Sequence, residues 1–214
     1  MSRTFVVGDV HGCYDELVAL VGLVGLGDSD RLICVGDLIA KGEKSREVLE
    51  LFMADARFSS VLGNHDRAVL EYWKGAREKK ELKPAQRRCA KQLKPDRERF
   101  AAYLETLPAY IDLGSHVVVH AGLRPGVALA EQSLDDLTAL RTLGKNRESR
   151  KGTPWYEVYD DGRVALFGHW PAPAPRRGPR AIGLDTGCVY GGRLTAYAVE
   201  TGEFHSVPAL RAYA

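Results

Sequence analysis

The chain has 214 residues, 45% of them hydrophobic and 27% charged, with a net charge of +2. That length supports one sizeable core or at most two small ones. No run approaches the ~18 unbroken apolar residues of a membrane helix, and the near-balanced charge leaves any electrostatic preference to be local. The start, Met1-Ser2-Arg3-Thr4, runs directly into an apolar stretch with no signal-peptide pattern. Cys13, Cys34, Cys89 and Cys188 lie far apart, without close metal-type pairing. Reduced thiols in a cytoplasmic protein are the expectation.

Residues 5–7, Phe-Val-Val, read as a short buried strand, and Gly8-Asp9-Val10-His11-Gly12 follows at its C-terminal end. Asp9 and His11, two positions apart in turning backbone, can aim both side chains at one point. Open α/β sheets place ligands at that end of a strand. Over 14–24, Leu17, Leu20, Val21 and Val24 recur at helical spacing, with Asp15 and Glu16 where the helix dipole favours acids. Strand, glycine turn and helix open a βαβ unit. A second apolar run, 31–35, ends at Gly36-Asp37-Leu38-Ile39-Ala40-Lys41-Gly42, and Val48, Leu49 and Phe52 mark another helix. A third strand at 60–62 ends at Gly63-Asn64-His65-Asp66.

Residues 67–107 read as helical, interrupted near Pro84 and Pro95. Between 74 and 99, eleven Lys or Arg stand against four Asp or Glu. This is either a solvated helical face or a basic cap over the polar loops that favours an anionic substrate. Trp73 and Tyr103 fit the core of such a cap. A fourth run, 117–119, ends at His120-Ala121-Gly122, and a fifth, 164–167, ends at Gly168-His169. Four of the six histidines thus stand at strand ends, a sorting that random placement does not give. The proline-dense, cationic stretch 171–180 reads as a surface loop beside them, not a central strand or helix. Strands follow at 181–184, 194–199 and 204–207, the first two joined by Asp185-Thr186-Gly187-Cys188-Val189-Tyr190-Gly191-Gly192. With no repeat or linker in view, a single domain over 1–214 is expected, its helical cap at about 67–107.

Asp9, His11, Asp37, Asn64, His120 and His169 are the candidate donors. Imidazole with carboxylate suits first-row metals such as Mn, Fe or Zn. Six donors exceed one tetrahedral zinc but serve two ions that share a carboxylate. Such ions, ~3.5–4 Å apart, hold a bridging hydroxide and clamp a phosphoryl oxygen for in-line displacement.

These motifs, Gly-Asp-x-His-Gly, Gly-Asp, Gly-Asn-His-Asp, His-Ala-Gly and Gly-His in that order over the whole chain, resemble the PPP-type, calcineurin-like metallophosphoesterases. That group includes the phosphoprotein phosphatases and the symmetrical diadenosine tetraphosphatases. The resemblance implies an α/β four-layer sandwich, two mixed sheets packed face to face and flanked by helices. It implies a first metal ion on Asp9 and His11, a second on Asn64 and His120, Asp37 between them, and His169 closing one of the two sites. Two Mn²⁺ ions are expected, with Fe or Zn as alternatives. His65 becomes the general acid that protonates the leaving oxygen, and no covalent phosphoenzyme is expected.

The second motif departs from that pattern. The phosphoprotein phosphatases read Gly-Asp-x-Val-Asp-Arg-Gly where this chain has Gly36-Asp37-Leu38-Ile39-Ala40-Lys41-Gly42. Ala40 replaces the Asp that orients the general-acid His, and Lys41 replaces an Arg that grips phosphate with a planar fork. Asp66, adjacent to His65, is expected to point elsewhere from extended backbone. The Ala-Lys form resembles the ApaH-like phosphatases, whose relatives cleave dinucleoside polyphosphates or nucleotide caps; the tail at 183–192 resembles the same branch. A polyphosphate leaving group is already acidic and needs little protonation. Arg141 and Arg124 join Lys41 as candidate phosphate ligands, Tyr190 reads as a pocket wall or a buried structural residue, and His116 and His205 read as exposed or strand-end residues. The expected substrate is a dinucleoside polyphosphate such as diadenosine tetraphosphate. The alternatives are a phosphoprotein serine/threonine or tyrosine phosphatase and, from another class, a non-catalytic protein that holds an anion or nucleic acid on its basic cap.

Overall fold

A computed structural model of the chain describes residues 2–214. The first sheet begins with β1 (Thr4–Val7), α1 (Tyr14–Val24), β2 (Arg31–Cys34), α2 (Ser45–Ala54) and β3 (Phe58–Ser60). Each helix returns the chain so that β1, β2 and β3 run parallel. Helices α3 (Asn64–Trp73), α4 (Pro84–Gln92) and α5 (Arg97–Thr106) come next. Pro84 opens α4 at a position where its missing N–H costs nothing.

The second sheet is built from β4 (Tyr110–Asp112) and β5 (His116–Val119) onward. Helix α6 (Leu134–Ala139), the small hairpin β6 (Thr142–Leu143) and β7 (Thr153–Pro154), and α7 (Trp155–Val158) lead to β8 (Val164–Phe167), β9 (Arg176–Arg177) and β10 (Ala181–Gly183). The chain then crosses back, and β11 (Arg193–Ala198) and β12 (Phe204–Pro208) complete the first sheet. The strand orders are β12-β11-β1-β2-β3 and β4-β5-β8-β10-β9, both mixed. This is the expected sandwich.

Alternation along the strands sets the layers. Val6 and Ile33 from the first sheet meet Val118 and Leu166 from the second in one buried cluster between the sheets. Their neighbours Phe5, Val7, Leu32 and Cys34 point the other way, into a core shared with α1, α2 and the helices after β3. On the outer face of the second sheet Val117, Val119 and Phe167 pack with Trp155 and Tyr156 of α7 and Leu137 of α6. Four layers therefore follow from a period of two in short apolar strands.

Some boundaries differ from expectation. The third strand lies two residues earlier than 60–62, because Leu62 N–H leaves the ladder to donate to the Pro108 carbonyl. The proline-rich stretch is not wholly a loop: Arg176–Arg177 pairs antiparallel with β10 at the sheet edge, where flanking prolines do no harm. Strand β4, the hairpin β6–β7, α6 and α7 were not expected. Of these α6 carried a legible signal, since Ser133 caps it by accepting from Asp136 N–H at 3.1 Å.

Candidate metal centre and anion cavity

The loops leaving β1, β2, β3, β5 and β8 converge. Each short strand is buried, so its polar exit residues project at the sheet ends, and the sandwich brings the two sets of ends together. Asp9, His11, Asp37, His65, His120 and His169 are all under 10% exposed. The turn geometry is strained where the chemistry sits. His11 (φ 48°), Asp37 (φ 54°), Ala40 (φ 71°), Lys41 (φ 66°) and His169 (φ 66°) are the five described non-glycine residues with positive φ. Backbone bonds hold these turns: His11 N–H donates to Asp37 O at 2.7 Å and Gly42 N–H to His11 O at 2.8 Å.

Close approach demands glycine at two junctions. A Cβ on Gly63 would lie 2.0 Å from Asp37 N, and one on Gly168 would lie 2.0 Å from Asp9 Oδ1. Opposite the cluster, Trp155 Nε1 donates to Ala121 O at 3.0 Å and so anchors the turn that carries His120.

At His11 and His120 the ring nitrogen that faces the cluster carries no proton. His11 Nδ1 is 3.1 Å from the Ile39 carbonyl and His120 Nδ1 is 2.8 Å from the Val35 carbonyl. In each ring Nδ1 therefore carries the proton, and Nε2 presents a lone pair. His120 Nε2 lies 2.9 Å from Asn64 Oδ1 and 3.6 Å from Asp37 Oδ1. His11 Nε2 lies 3.4 Å from Asp37 Oδ2 and 3.8 Å from Asp9 Oδ2. His169 Nδ1 is also 2.9 Å from Asn64 Oδ1, and its Nε2 is buried without a partner. Ligand atoms of Asp9, Asp37 and His120 lie within 4.8 Å of one another, as do those of His11, Asp37 and His65; Asp37 is common to both trios.

Burial sets the charge states. It holds the His11 and His169 imidazoles well below their usual range and His120 at about 4. It lifts the Asp9 carboxyl well above normal and pushes Asp37 and Asp185 up to about 6. Neutral imidazoles and crowded carboxylates, with acceptors opposed to acceptors, fit divalent cations and little else. One positive side chain already answers them. Lys41 Nζ is 2.6 Å from His11 Nε2 and 5.1 Å from the centre of the Tyr190 ring. Burial opposes its charge, yet Asp37, Tyr190 and Asp9 together keep it protonated.

Cavities of about 540 and 460 Å³ open beside the cluster and share Asn64, Lys83, Arg141 and His169. Lys41, His65, Arg88 and Tyr190 line the first, and Arg67, Arg77 and Arg147 line the second. Arg141 stands between them, donates to the His169 carbonyl at 3.3 Å and keeps a buried Nε without a partner.

Arg124 is not brought here. It lines neither cavity and holds Asp136 through two bonds of 3.0 and 2.9 Å. Tyr190 is 46% exposed and forms a cavity wall, so it is not a buried structural residue. His116 is buried against Tyr197, with no part in the site. Asp66 does point away from His65, but from the first turn of α3 and not from extended backbone. Its carboxylate accepts from Leu38, Ile39 and Gly63 N–H groups, each at 3.2 Å. His65 is left with a buried Nδ1 that has no partner.

Three contributors escaped the sequence reading as individuals. Asp185 sits close enough to Asp9 to raise its pKa, and its Asp-x-Gly turn was the available signal. Lys83 and Arg88 reach the cavity from the start of α4, indistinguishable in sequence from the solvated lysines and arginines around them.

Comparison with known proteins gives the family and the fold. The family of calcineurin-like phosphoesterases matches residues 2–202. The asymmetrical bis(5'-nucleosyl)-tetraphosphatase PrpE of Bacillus subtilis is 30% identical, over 97% of this chain and 95% of its own. A symmetrical bis(5'-nucleosyl)-tetraphosphatase of Neisseria meningitidis is 27% identical, over 96% of this chain and 95% of its own. A crystal structure provisionally named as a diadenosine tetraphosphatase superposes with a TM-score of 0.82 at 33% identity, covering 97% of this chain and 93% of that one.

Proposed function

Because the chain belongs to the calcineurin-like phosphoesterases, we propose that it is a hydrolase of dinucleoside polyphosphates such as diadenosine tetraphosphate, acting with two divalent cations, Mn²⁺ first among them, in the cytoplasm. In this reading Asp9 and His11 hold one cation, Asn64, His120 and His169 hold the other, and Asp37 serves both. The observation that carries it is the meeting of the unprotonated Nε2 atoms of His11 and His120 with carboxylate and amide oxygens around Asp37. When bound, the cations supply Lewis acidity to the phosphoryl group and make water a nucleophile at neutral pH.

The protein's own residues do the rest. Lys41, Lys83, Arg88 and Arg141 spread positive charge over a cavity of about 540 Å³, larger than a single phosphate needs, which suits a chain of phosphates. Arg141, fixed by the His169 carbonyl, offers a planar fork at the boundary of the two cavities. The segment at about 67–107 acts as a cap within a single domain, with α4 as its inner edge. His65 stands beside the cluster as the proton donor to the leaving oxygen. Burial holds its pKa well down, and its Nδ1 has no partner to raise basicity, so it is a weak acid catalyst. A leaving nucleotide phosphate departs as an anion with little help, whereas a serine alkoxide does not. This favours anhydride cleavage over phosphoprotein dephosphorylation.

The test is turnover of diadenosine tetraphosphate against a phosphoserine peptide by the same preparation with Mn²⁺. Faster peptide hydrolysis reverses the assignment. The products, ADP alone or ATP with AMP, report which anhydride bond is cut.

A further inference from the structure

Two of the cysteines that stand far apart in sequence meet in the fold. Cys13 immediately precedes α1, Glu16 lies in the first turn of that helix, and Cys188 lies in the loop between β10 and β11. Their sulfur atoms and a Glu16 carboxylate oxygen all lie within 4.8 Å of one another, and each residue is at most 2% exposed. Glu16 Oε1 is satisfied by Leu210 N–H at 2.9 Å and the Tyr213 hydroxyl at 2.8 Å. Its Oε2 is buried and has no hydrogen-bond partner. A buried carboxylate oxygen without a donor is costly, and two sulfurs lie within 4.8 Å of this carboxylate.

We propose that Cys13, Cys188 and Glu16 form a second cation site, distinct from the phosphate-facing cluster, that takes a soft or borderline divalent ion of the Zn²⁺ type. Two thiolates and one carboxylate match zinc, whereas the Asp9–His169 cluster contains no sulfur and suits harder ions. Ligands ~2.0–2.3 Å from a tetrahedral zinc lie under 4 Å from each other, so only a small closure of the trio is required. On binding, each thiol releases its proton to solvent and the Glu16 oxygen gains the positive partner it lacks. A water would complete the fourth position, and a cleft of about 320 Å³ is lined by chain neighbours and hydrogen-bond partners of the trio, Gly12, Tyr14, Leu210 and Tyr213. The ion ties together the turn after His11, the loop from Asp185 to Tyr190 and the C-terminal residues. Tyr213 and Ala214 N–H groups are already bonded to Val189 O. Tyr190 and Ala214 both line the anion cavity, so filling this site fixes one wall of it.

Cobalt(II) tests this with a signal the other cluster cannot give. Thiolate ligation produces an intense ligand-to-metal absorption in the near ultraviolet, and nitrogen and oxygen ligands do not. Titration of the full chain should give such a band that saturates at one ion per chain and is displaced by Zn²⁺. Cys188→Ser should abolish it. Tyr213→Phe, which removes only the hydroxyl that orients Glu16, should keep the band and weaken cobalt binding ~10–100-fold. Two bound ions per chain without the band, a band that survives Cys188→Ser, or unchanged affinity in Tyr213→Phe overturns the site. None of these outcomes touches the phosphohydrolase assignment.

Discussion

Gly63→Ala is the most direct probe of whether backbone approach builds the metal centre. The added methyl would lie 2.0 Å from Asp37 N, 2.3 Å from Asp37 Oδ1 and 2.8 Å from Asp37 Cα. Contact at a tolerable distance requires about 1 Å of separation between the two turns, and main-chain atoms cannot rotate away as a side-chain tip can. Overpacking of this kind costs ~1–3 kcal/mol. The same shift carries Asp37 and the adjacent Asn64 and His65 out of register, and a 1 Å misplacement costs on the order of 10²-fold in rate. The expected variant folds, binds less than two equivalents of Mn²⁺ by elemental analysis, melts lower, and loses at least about two orders of magnitude in kcat. Gly22→Ala is the control. Its Cβ meets nothing within 4 Å in the last turn of α1, so it should hold activity and gain up to ~1 kcal/mol. Full metal content and near-normal turnover in Gly63→Ala would refute the claim that these turns position the ions by contact.

Other expectations bear on charge and acid catalysis. Asp37 is lifted to about 6 by burial, so below that pH it is protonated before it can ligate; Mn²⁺ affinity by calorimetry should fall ~10-fold from pH 7 to 5. An affinity indifferent to pH contradicts this. For His65→Asn, kcat should drop ~10²-fold or more on aryl phosphates with poor leaving groups and much less on diadenosine tetraphosphate; an equal loss across the series removes His65 as proton donor. Arg141→Ala should lower kcat/KM ~10–100-fold through loss of a charge-assisted phosphate contact. Arg124→Ala, by contrast, should leave kcat/KM unchanged and cost no more than ~1 kcal/mol of stability, since its fork serves the partly exposed pair with Asp136.

Most of the polar constellation was legible because its grammar is local. A buried strand of three or four residues followed by glycine and a donor tells where the donor emerges, and the donors named from that pattern meet around Asp37. Arg124 failed because a residue just past His120 carries no information about its side-chain partner. Asp136 lies in α6, a helix not foreseen, and claims it. Asp185 was missed because its loop was read as backbone punctuation, and Cys13 with Cys188 because pairing across the fold leaves no spacing to recognise. The third strand slipped by two residues for a related reason: Val61 and Leu62 are as buried as true strand residues, but Leu62 bonds to Pro108 from a different part of the chain.

The second motif shows what the Ala40-Lys41 spelling does physically. An acidic residue does stand beside His65, and Asp66 is pushed up to about 7 by burial and by Asp37, yet it does not touch the imidazole. It is occupied in gathering three backbone N–H groups from the turns that carry Asp37 and Asn64. Strained residues persist only where their surroundings over-determine them, and Asp66 provides that over-determination for Asp37, Ala40 and Lys41. His65 contributes its own backbone N–H to Asp37 Oδ1 at 2.8 Å, so its main chain serves positioning while its Nδ1 has no partner to orient the ring. The polar groups of this site are thus taken up by the turns they hold, and none orients the His65 ring. Such an allocation suits a substrate whose leaving group is already a stable anion.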